Sequence, residues 1–140
     1  LLEQCYIIFR LPSFSRNLRH ELKASRKIYF YDNGIRNALI ADYSAPEIRQ
    51  DIGALWENFV VSERMKCNEY YRRWVNRYFW RTTQQQEIDY LEEGGGKLQA
   101  YEIKWNARKK ATITKTFTDA YPDTAFKVIT PDNIAEFLLP

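Results

Sequence analysis

The sequence predicts an α/β protein with a mixed central sheet, in which the elements follow the order α-β-β-β-α-β. Two observations carry this prediction. A long segment of helical character, 51–71, is followed by three short segments rich in β-branched and aromatic residues. A second helical segment, 112–121, separates the third of these from a fourth. With 140 residues and 45% hydrophobic content, the chain is long and apolar enough to form one folded domain.

A β-rich segment precedes this core. Residues 5–11 and 26–32 are rich in β-branched and aromatic side chains, and we interpret them as two strands of a long hairpin. Pro12 and polar residues separate the two strands, and a short helical excursion is expected near 17–23.

The remaining elements follow in a clear order. A short helix is expected after Asp32 or Asn33, either of which can serve as its N-cap. The chain then divides into an N-terminal segment, 1–50, and the core on which it packs, 51–140. The core elements are a helix at 51–71, strands at 76–82, 86–93 and 98–105, a helix at 112–121, a strand at 125–130 and a closing helix at 132–138.

Composition excludes several classes of protein. Cys5 and Cys67 match no zinc-ligand spacing and make no disulfide framework, which favours a reducing, cytoplasmic compartment. No apolar run approaches the roughly 18 residues of a membrane span. With His20 as the only histidine, neither a histidine-cluster zinc site nor Ser-His or Cys-His catalysis is expected. The chain starts without Met or a basic leader, so we expect a piece of a longer protein and no signal peptide.

Positive charge is concentrated in three stretches, although the net charge is only +3. These stretches are 1–27, 70–81 and 104–110. The second of them interleaves four arginines with six aromatic residues. Such a pattern can follow a phosphate backbone and stack on bases. Equally, the aromatic side chains can fill a sheet face while the arginines are solvated. The candidate nucleic-acid-binding residues are Arg72, Arg73, Arg77, Arg81, Arg108, Lys109 and Lys110.

Asp89 and Glu102 are thirteen positions apart in sequence and fall on the two strands of the predicted hairpin 87–105. Asp89 interrupts an apolar strand, so it is either a charge that protects an edge strand or a ligand for a hard cation. Glu102 and Lys104 share one face of the next strand and, taken alone, are typical of an ion pair. A four-residue loop, 94–97, would place Asp89 directly across from Glu102 on the same face, because an even loop preserves that alignment.

Glu57 lies in an apolar stretch of the predicted long helix. Its helical neighbours three and four residues away are Gly53, Ala54, Val60 and Val61. This carboxylate is either solvated at the rim of the apolar stripe, where Arg64 could pair with it, or buried and in need of a partner. A metal ion or Lys104 would serve as that partner.

These charged residues, in this order of elements, resemble a known superfamily. A Glu on the first helix, an Asp on the second strand and Glu-x-Lys on the third are similar to the PD-(D/E)xK nucleases, whose fold is called restriction-endonuclease-like. This resemblance covers residues 51–130, with Ile88 standing where the motif has proline. More narrowly, five segments resemble domain of unknown function 4143, the C-terminal part of many prokaryotic P-loop ATPases of the AAA+ type. They are KIYFYDNGIRNAL, GALWENFVVSE, YFWRT, QEIDYL and YEIKW.

The resemblance implies a role for each motif residue. Asp89, Glu102 and Glu57 would bind Mg²⁺ or Mn²⁺, and Lys104 would act beside the scissile phosphate, so these four are the candidate catalytic residues. The implied activity is metal-dependent hydrolysis of DNA. One alternative is a catalytically inactive domain that binds DNA or protein and regulates the ATPase. Another is an interaction domain that forms homo-oligomers. No G-x-x-x-x-G-K-[ST] motif occurs, so no ATP site is expected here and the ATPase part lies outside this sequence.

Overall fold

The N-terminal part of the computed structural model begins with a two-stranded ribbon. The structure describes residues 1–16, 21, 25–109 and 111–139. β1 (Ile8–Pro12) pairs antiparallel with β2 (Arg26–Phe30), as the two predicted strands require. The helical excursion expected near 17–23 lies outside the described residues, apart from Glu21, which forms an isolated bridge with Thr82.

A short helix leads from the ribbon towards the core. α1 (Asn33–Ile40) begins where the Asp32 carboxylate accepts the N–H groups of Gly34 and Ile35, so Asp32 is its N-cap. A single 3-10 turn at Pro46–Ile48 follows.

The core consists of a mixed sheet and its flanking helices. Its elements are α2 (Ile52–Tyr70), β3 (Asn76–Arg81), β4 (Glu87–Gly94), β5 (Lys97–Ile103), α3 (Lys115–Ala120), β6 (Ala125–Ile129) and α4 (Ile134–Leu138). The strand order is β3-β4-β5-β6, with antiparallel pairing up to β5 and parallel pairing between β5 and β6. The prediction of an α/β protein with a mixed sheet is confirmed.

Every core element differs from its predicted bounds by one to three residues at one end or both, and two of these differences bear on the site and its packing. β5 ends at Ile103, although the Lys104 N–H still donates to the Ile129 carbonyl at 2.9 Å. α3 begins at Lys115 instead of 112, and Thr114 keeps an extended backbone with φ −70° and ψ 142°. The run of β-branched residues at 112–114 explains the late start, because such side chains lose rotamer freedom in a helix.

The β4–β5 hairpin turns at Gly95 and Gly96. Gly94 pairs with Lys97, so the loop has two residues and not the four expected at 94–97; both lengths are even and give the same register. The φ angles are 57° at Gly95 and 73° at Gly96, a left-handed conformation that glycine adopts without steric cost. These two glycines therefore set the hairpin register.

Hydrophobic clusters and one buried ion pair hold the helices to the sheet. One cluster joins α2 and α4 to the sheet and the ribbon, and the other joins α3 to the sheet. Arg64 in α2 donates to both carboxylate oxygens of Glu92 in β4, at 2.8 and 2.7 Å. Asn68 and the Tyr90 hydroxyl complete the Glu92 hydrogen bonds, which fixes α2 against the sheet. None of the helices in the described ranges is long and apolar enough to span a membrane.

Candidate functional site

Four carboxylates gather where β4 begins and β5 ends. Glu57 comes from the second turn of α2, Glu87 and Asp89 from the start of β4, and Glu102 from the end of β5. All four are shielded, since their side chains are between 13% and 26% exposed. Negative charge is therefore concentrated where water screens it poorly.

An irregularity in β4 redirects Asp89. Along the pairing of β3 with β4, Tyr78 faces Leu91 but Trp80 faces Ile88, so β4 carries one extra residue between these pairs. The extra residue is a β-bulge at Asp89 and Tyr90. Ile88 and Leu91 both pack in the α3 cluster, whereas Tyr90 packs in the α2 cluster. The bulge thus lets Asp89 face α2 and the ribbon.

Asp89 is bound to the neighbouring strand by its own side chain. The β4–β5 ladder runs as far as the pair Tyr90–Tyr101, one step short of a pairing of Asp89 with Glu102. In place of that pair, Asp89 Oδ2 accepts a hydrogen bond from the Ile103 N–H at 2.8 Å. Burial raises the pKa of Asp89 to about 7, with the charges of Glu57 and Glu102 adding to the effect.

Glu102 and Lys104 form an ion pair, with 2.6 Å between Lys104 Nζ and Glu102 Oε1. In β5, Glu102 alternates with Tyr101 and Ile103, both of which pack in the α2 cluster, so its side chain leaves the strand on the other side. Because the bulge turns Asp89 towards α2 and Lys27, the two carboxylates do not leave the sheet on the same face as expected. Burial by itself would lower the pKa of Lys104, but the pair with Glu102 and the charge of Asp89 raise it. The pair with Glu102 is therefore electrostatically linked to Asp89.

A second lysine, Lys27 of β2, enters the cluster from the ribbon. Its ammonium lies 2.8 Å from Glu57 Oε1, 3.9 Å from Asp89 Oδ1 and in contact with Glu87. The ammonium also lies 5.5 Å from the centre of the Phe79 ring. Burial would lower the pKa of Lys27, yet the ion pairs with Glu57 and Glu87 raise it. Lys27 is thus held as a charged partner of three carboxylates.

Two further residues position this part of the site. The Tyr29 hydroxyl donates to Glu57 Oε1 at 2.6 Å, and Tyr29 shares a strand face with Lys27. Asn58 bonds both backbone groups of Phe30, accepting from its N–H at 2.7 Å and donating to its carbonyl at 3.0 Å. The amide of Asn58 therefore pairs with β2 as another strand would, and it sets Lys27 and Tyr29 opposite Glu57.

Carboxylate oxygens are the ligands that Mg²⁺ and Mn²⁺ prefer, so the donor chemistry of Glu57, Asp89 and Glu102 fits such an ion. The ammonium beside them shows that this place accepts a cation. As arranged, however, no three His, Cys, Asp or Glu residues within the described ranges could hold a metal ion together. Glu57 and Asp89 face Lys27, while Glu102 faces Lys104.

The sequence prediction did not include Lys27, Tyr29, Asn58 or Glu87. A signal for Glu87 existed, since Glu87 and Asp89 are two residues apart in a strand. Lys27 and Tyr29 have the same spacing in β2, but nothing in the sequence shows that this strand crosses the start of α2. Their role depends on contacts between residues about thirty positions apart.

The candidate nucleic-acid-binding residues lie at opposite ends of the core. β3 runs from Asn76, which pairs with Glu93 near the glycine turn, to Arg81, which pairs with Glu87 at the carboxylates. The residues near the turn are Arg72, Arg73 and Arg77. The residues near the carboxylates are Arg81, which is bonded to Glu87, and Arg108 and Lys109 in the exposed loop after Lys104. Lys110 lies outside the described residues.

Some aromatic residues of 70–81 are exposed, as stacking on bases would require, and others fill the sheet. Tyr70 and Trp74 are 81% and 88% exposed, whereas Phe79 and Trp80 are fully buried in the sheet. From Glu57 to Tyr70, α2 rises about 20 Å. The exposed aromatic and basic residues at the turn end therefore form a surface separate from the carboxylates.

Two family models match this chain. One, described as Domain of unknown function (DUF4143), matches residues 52–136, and the other, described as Domain of unknown function (DUF8612), matches residues 1–63. The two matches overlap in the first part of α2, which carries Glu57.

The chain is also similar to two mycobacterial proteins. An uncharacterized protein of Mycobacterium bovis and one of Mycobacterium tuberculosis are each 30% identical to it over 108 residues. These matches cover 74% of this chain but 23% of each relative, so the chain spans about a quarter of their length. No solved structure matches the chain. Because the first family model covers most of the core, the chain belongs to the family described as Domain of unknown function (DUF4143).

Proposed function

We propose that the core of this chain is a nuclease-like domain of the restriction-endonuclease type, which hydrolyses phosphodiester bonds of DNA with Mg²⁺ or Mn²⁺. The observation that supports this most is the concentration of shielded carboxylates, where burial first and then the charges of Glu57 and Glu102 raise the pKa of Asp89 to about 7. Carboxylates that repel one another in a shielded place favour a bound cation.

Each charged residue has a role in the proposed reaction. Asp89 and Glu102 would be ligands of the ion, with Glu57 binding directly or through water. The ion would supply a more acidic water and offset charge on the phosphate. Lys104, which is held by Glu102, would place a positive charge beside the scissile phosphate and stabilise the negative charge that develops there.

The surroundings of the carboxylates support DNA as the substrate. Arg108 and Lys109 are exposed in the loop that follows Lys104, where they can contact phosphates next to the one being cleaved. In this proposal the chain is the C-terminal domain of a longer prokaryotic ATPase and works in the cytoplasm. Its thiols, Cys5 and Cys67, are free, as a reducing compartment would keep them.

A second candidate is a domain that binds DNA or protein and regulates the ATPase without cleaving. The observation that favours it is the ammonium of Lys27, which already neutralises part of the charge of Glu57 and Asp89. A third candidate is an interface between two copies of the chain that uses the same charges. In that case light scattering would show a dimer.

Cleavage and binding assays on one set of DNA substrates separate these candidates. Labelled duplex, single-stranded and branched DNA are incubated with the protein over a range of Mg²⁺ and Mn²⁺ concentrations. The nuclease proposal expects metal-dependent cleavage, abolished by Asp89→Asn and lowered by Lys104→Ala on the order of 10²-fold or more, with little change in DNA affinity. Binding with no cleavage of any substrate would support the regulatory candidate. If the protein neither binds nor cleaves any of these DNA substrates, both candidates are contradicted.

A further inference from the structure

Three aromatic side chains contact one another beside the carboxylates. Trp56 precedes Glu57 in α2, and Trp105 follows Lys104 just after β5. The rings of Trp56 and Trp105 meet edge to face, with 5.5 Å between their centres. Phe59, which lies further along α2, stacks on Trp56 with 5.6 Å between the ring centres. Trp56, Phe59 and Trp105 therefore form an aromatic cluster that adjoins the candidate site.

Two rings of the aromatic cluster are exposed, although they are large and apolar. Trp105 is 40% exposed and Phe59 is 38% exposed, whereas Trp56 is only 8% exposed. The buried ring of Trp56 supports Trp105 and limits its movement, which lowers the entropy lost when a ligand packs on the exposed ring. Exposed apolar rings that are grouped and supported in this way indicate a surface that a ligand or partner covers.

The charges next to the aromatic cluster favour nucleic acid as the occupant. Arg108 and Lys109 are exposed in the loop that carries Trp105. Cationic groups beside an exposed aromatic ring are typical of proteins that bind single-stranded nucleic acid, because the cations contact phosphates while the ring stacks on a base. An apolar surface of a partner protein would leave these cations without a matching charge.

A buried donor in the aromatic cluster gives an independent indication of a ligand. The indole Nε1 of Trp56 is buried and has no hydrogen-bond partner within the described part of the chain. Buried N–H groups in folded proteins nearly always have an acceptor, so a ligand that brings one to the cluster would satisfy this group. Bases carry oxygen and nitrogen acceptors, whereas apolar side chains carry none. The donor therefore favours a base over an apolar side chain of a partner protein.

Base pairing decides which DNA can use such a surface. In a duplex, neighbouring base pairs cover both faces of each base, so an aromatic side chain stacks on a base that is unpaired or has left the helix. Because Trp105 directly follows Lys104, such a base would belong to a nucleotide next to the phosphate that Lys104 contacts in the proposed reaction.

We propose that Trp105 stacks on an unpaired base of the substrate, so that the site takes DNA that is single-stranded or branched beside the phosphate to be cleaved. This inference rests on the proposed function for its reaction, but the stacking itself requires neither metal nor cleavage. Trp105 selects the substrate, whereas the carboxylates and Lys104 act on it.

DNA affinities of matched variants test the stacking. Fluorescence anisotropy in the presence of a chelator measures binding without cleavage, for a labelled single strand and for its duplex. Trp105→Leu keeps an apolar side chain but has no aromatic face, so it should weaken single-strand binding on the order of tenfold and leave duplex binding unchanged. Trp105→Phe should stay close to the wild type because it can still stack.

A second exposed tryptophan provides the control for position. Trp74 is 88% exposed at the turn end, so Trp74→Leu should leave the preference for the single strand over the duplex as in the wild type. An unchanged single-strand affinity in Trp105→Leu would overturn the inference. An equal loss in Trp74→Leu, or no single-strand binding by the wild type, would overturn it as well.

A measurement on the wild type removes any dependence on how the variants fold. Irradiation of a bound single strand that carries iodouracil links this base to an aromatic side chain on which it stacks, and mass spectrometry identifies the residue. Trp105 should be the main crosslinked residue, and the same base within a duplex should give several times less product. Crosslinks at the turn end alone, or none at Trp105, would refute the stacking.

The stacking and the proposed function can fail separately. Single-strand binding that depends on Trp105, with no cleavage of any DNA, would keep the stacking and remove the nuclease. Metal-dependent cleavage that is as fast on duplex as on single strands, and unchanged in Trp105→Leu, would do the reverse.

Discussion

The carboxylate of Asp89 accepts a hydrogen bond from the main-chain N–H of Ile103 at 2.8 Å, which joins β4 to β5 beyond their last ladder pair. The same carboxylate lies 3.9 Å from the ammonium of Lys27. Asp89 therefore links the sheet, through one oxygen, to the charged cluster, through the other. A residue placed in this way affects both the stability of the fold and the charge of the site.

We expect the stability of the wild type to fall, relative to Asp89→Asn, as the pH rises from about 4 to about 7. The pKa of Asp89 rises from 3.8 to about 7 on folding. Between these values the folded chain holds a proton that the unfolded chain releases, so stability decreases with pH. Urea unfolding of both proteins across this range should show a change in their difference on the order of 2–4 kcal/mol.

The asparagine variant is a suitable reference because its side-chain oxygen can still accept the Ile103 N–H. Other titrating groups are common to both proteins, so their effects largely cancel in the difference. Parallel stability curves over this pH range would show that the carboxyl of Asp89 has an ordinary pKa.

Replacement of Asn58 should increase local opening of the ribbon more than that of the central sheet. Asn58→Ala removes both hydrogen bonds to Phe30, which should cost about 1–3 kcal/mol and raise the exchange rate of the Phe30 amide about tenfold or more. Hydrogen exchange measured by NMR checks this, with the Lys104 amide, bonded to Ile129, as the reference in the core.

A matched variant isolates the bonds to β2. Asn33→Ala removes the hydrogen bonds of Asn33 with Asn58 and with the Leu55 carbonyl but leaves those to Phe30 in place. It should therefore leave the Phe30 amide protected. Equal exchange of this amide in both variants would mean that Asn58 does not anchor the strand.

The hairpin shows how far local sequence determines the site. The glycines predict a turn, and the loop has an even number of residues. The register between β4 and β5 therefore follows from local sequence. The bulge at Asp89 could not be predicted in this way. It depends on the pairing of β4 with β3, where Phe79 faces two residues of β4 instead of one.

Contacts between residues distant in sequence determine the other parts of the site that the sequence did not predict. The class of fold and the order of the core elements follow from patterns within each segment. The placement of Lys27 depends on how the ribbon packs across α2, which the hydrogen bonds of Asn58 determine. A sequence pattern identifies an acidic residue as unusual, but it does not indicate which cation lies next to it.

Glycine substitutions in the turn and in α2 should have opposite effects. Gly95→Ala and Gly96→Ala should each destabilise the fold by about 1 kcal/mol, because their positive φ angles are unfavourable for alanine. Gly53→Ala should stabilise it by about 0.5–1 kcal/mol, since it lies in α2 and a Cβ there would meet nothing within 4 Å. Urea unfolding checks the sign at each position, and stabilisation by either turn variant would contradict the assigned turn.

Under the proposed function, the two basic surfaces should contribute differently to DNA binding and cleavage. The double variants Arg72→Ala/Arg73→Ala and Arg108→Ala/Lys109→Ala remove the same charge from the turn end and from the end near the carboxylates. Each should lower the slope of log affinity against log salt by about two if both residues of the pair contact phosphates. Fluorescence anisotropy at several salt concentrations measures that slope.

Only the pair near the carboxylates should affect the reaction once DNA is bound. Arg108 and Lys109 follow Lys104 in sequence, so they can hold the strand in register with Asp89, whereas Arg72 and Arg73 lie about 20 Å away along α2. At saturating DNA we expect Arg108→Ala/Lys109→Ala to slow cleavage on the order of tenfold and Arg72→Ala/Arg73→Ala to leave its rate unchanged. Single-turnover kinetics separate the two effects. A slower reaction in the turn-end variant would mean that DNA spans the whole length of α2 and that both surfaces position the scissile phosphate.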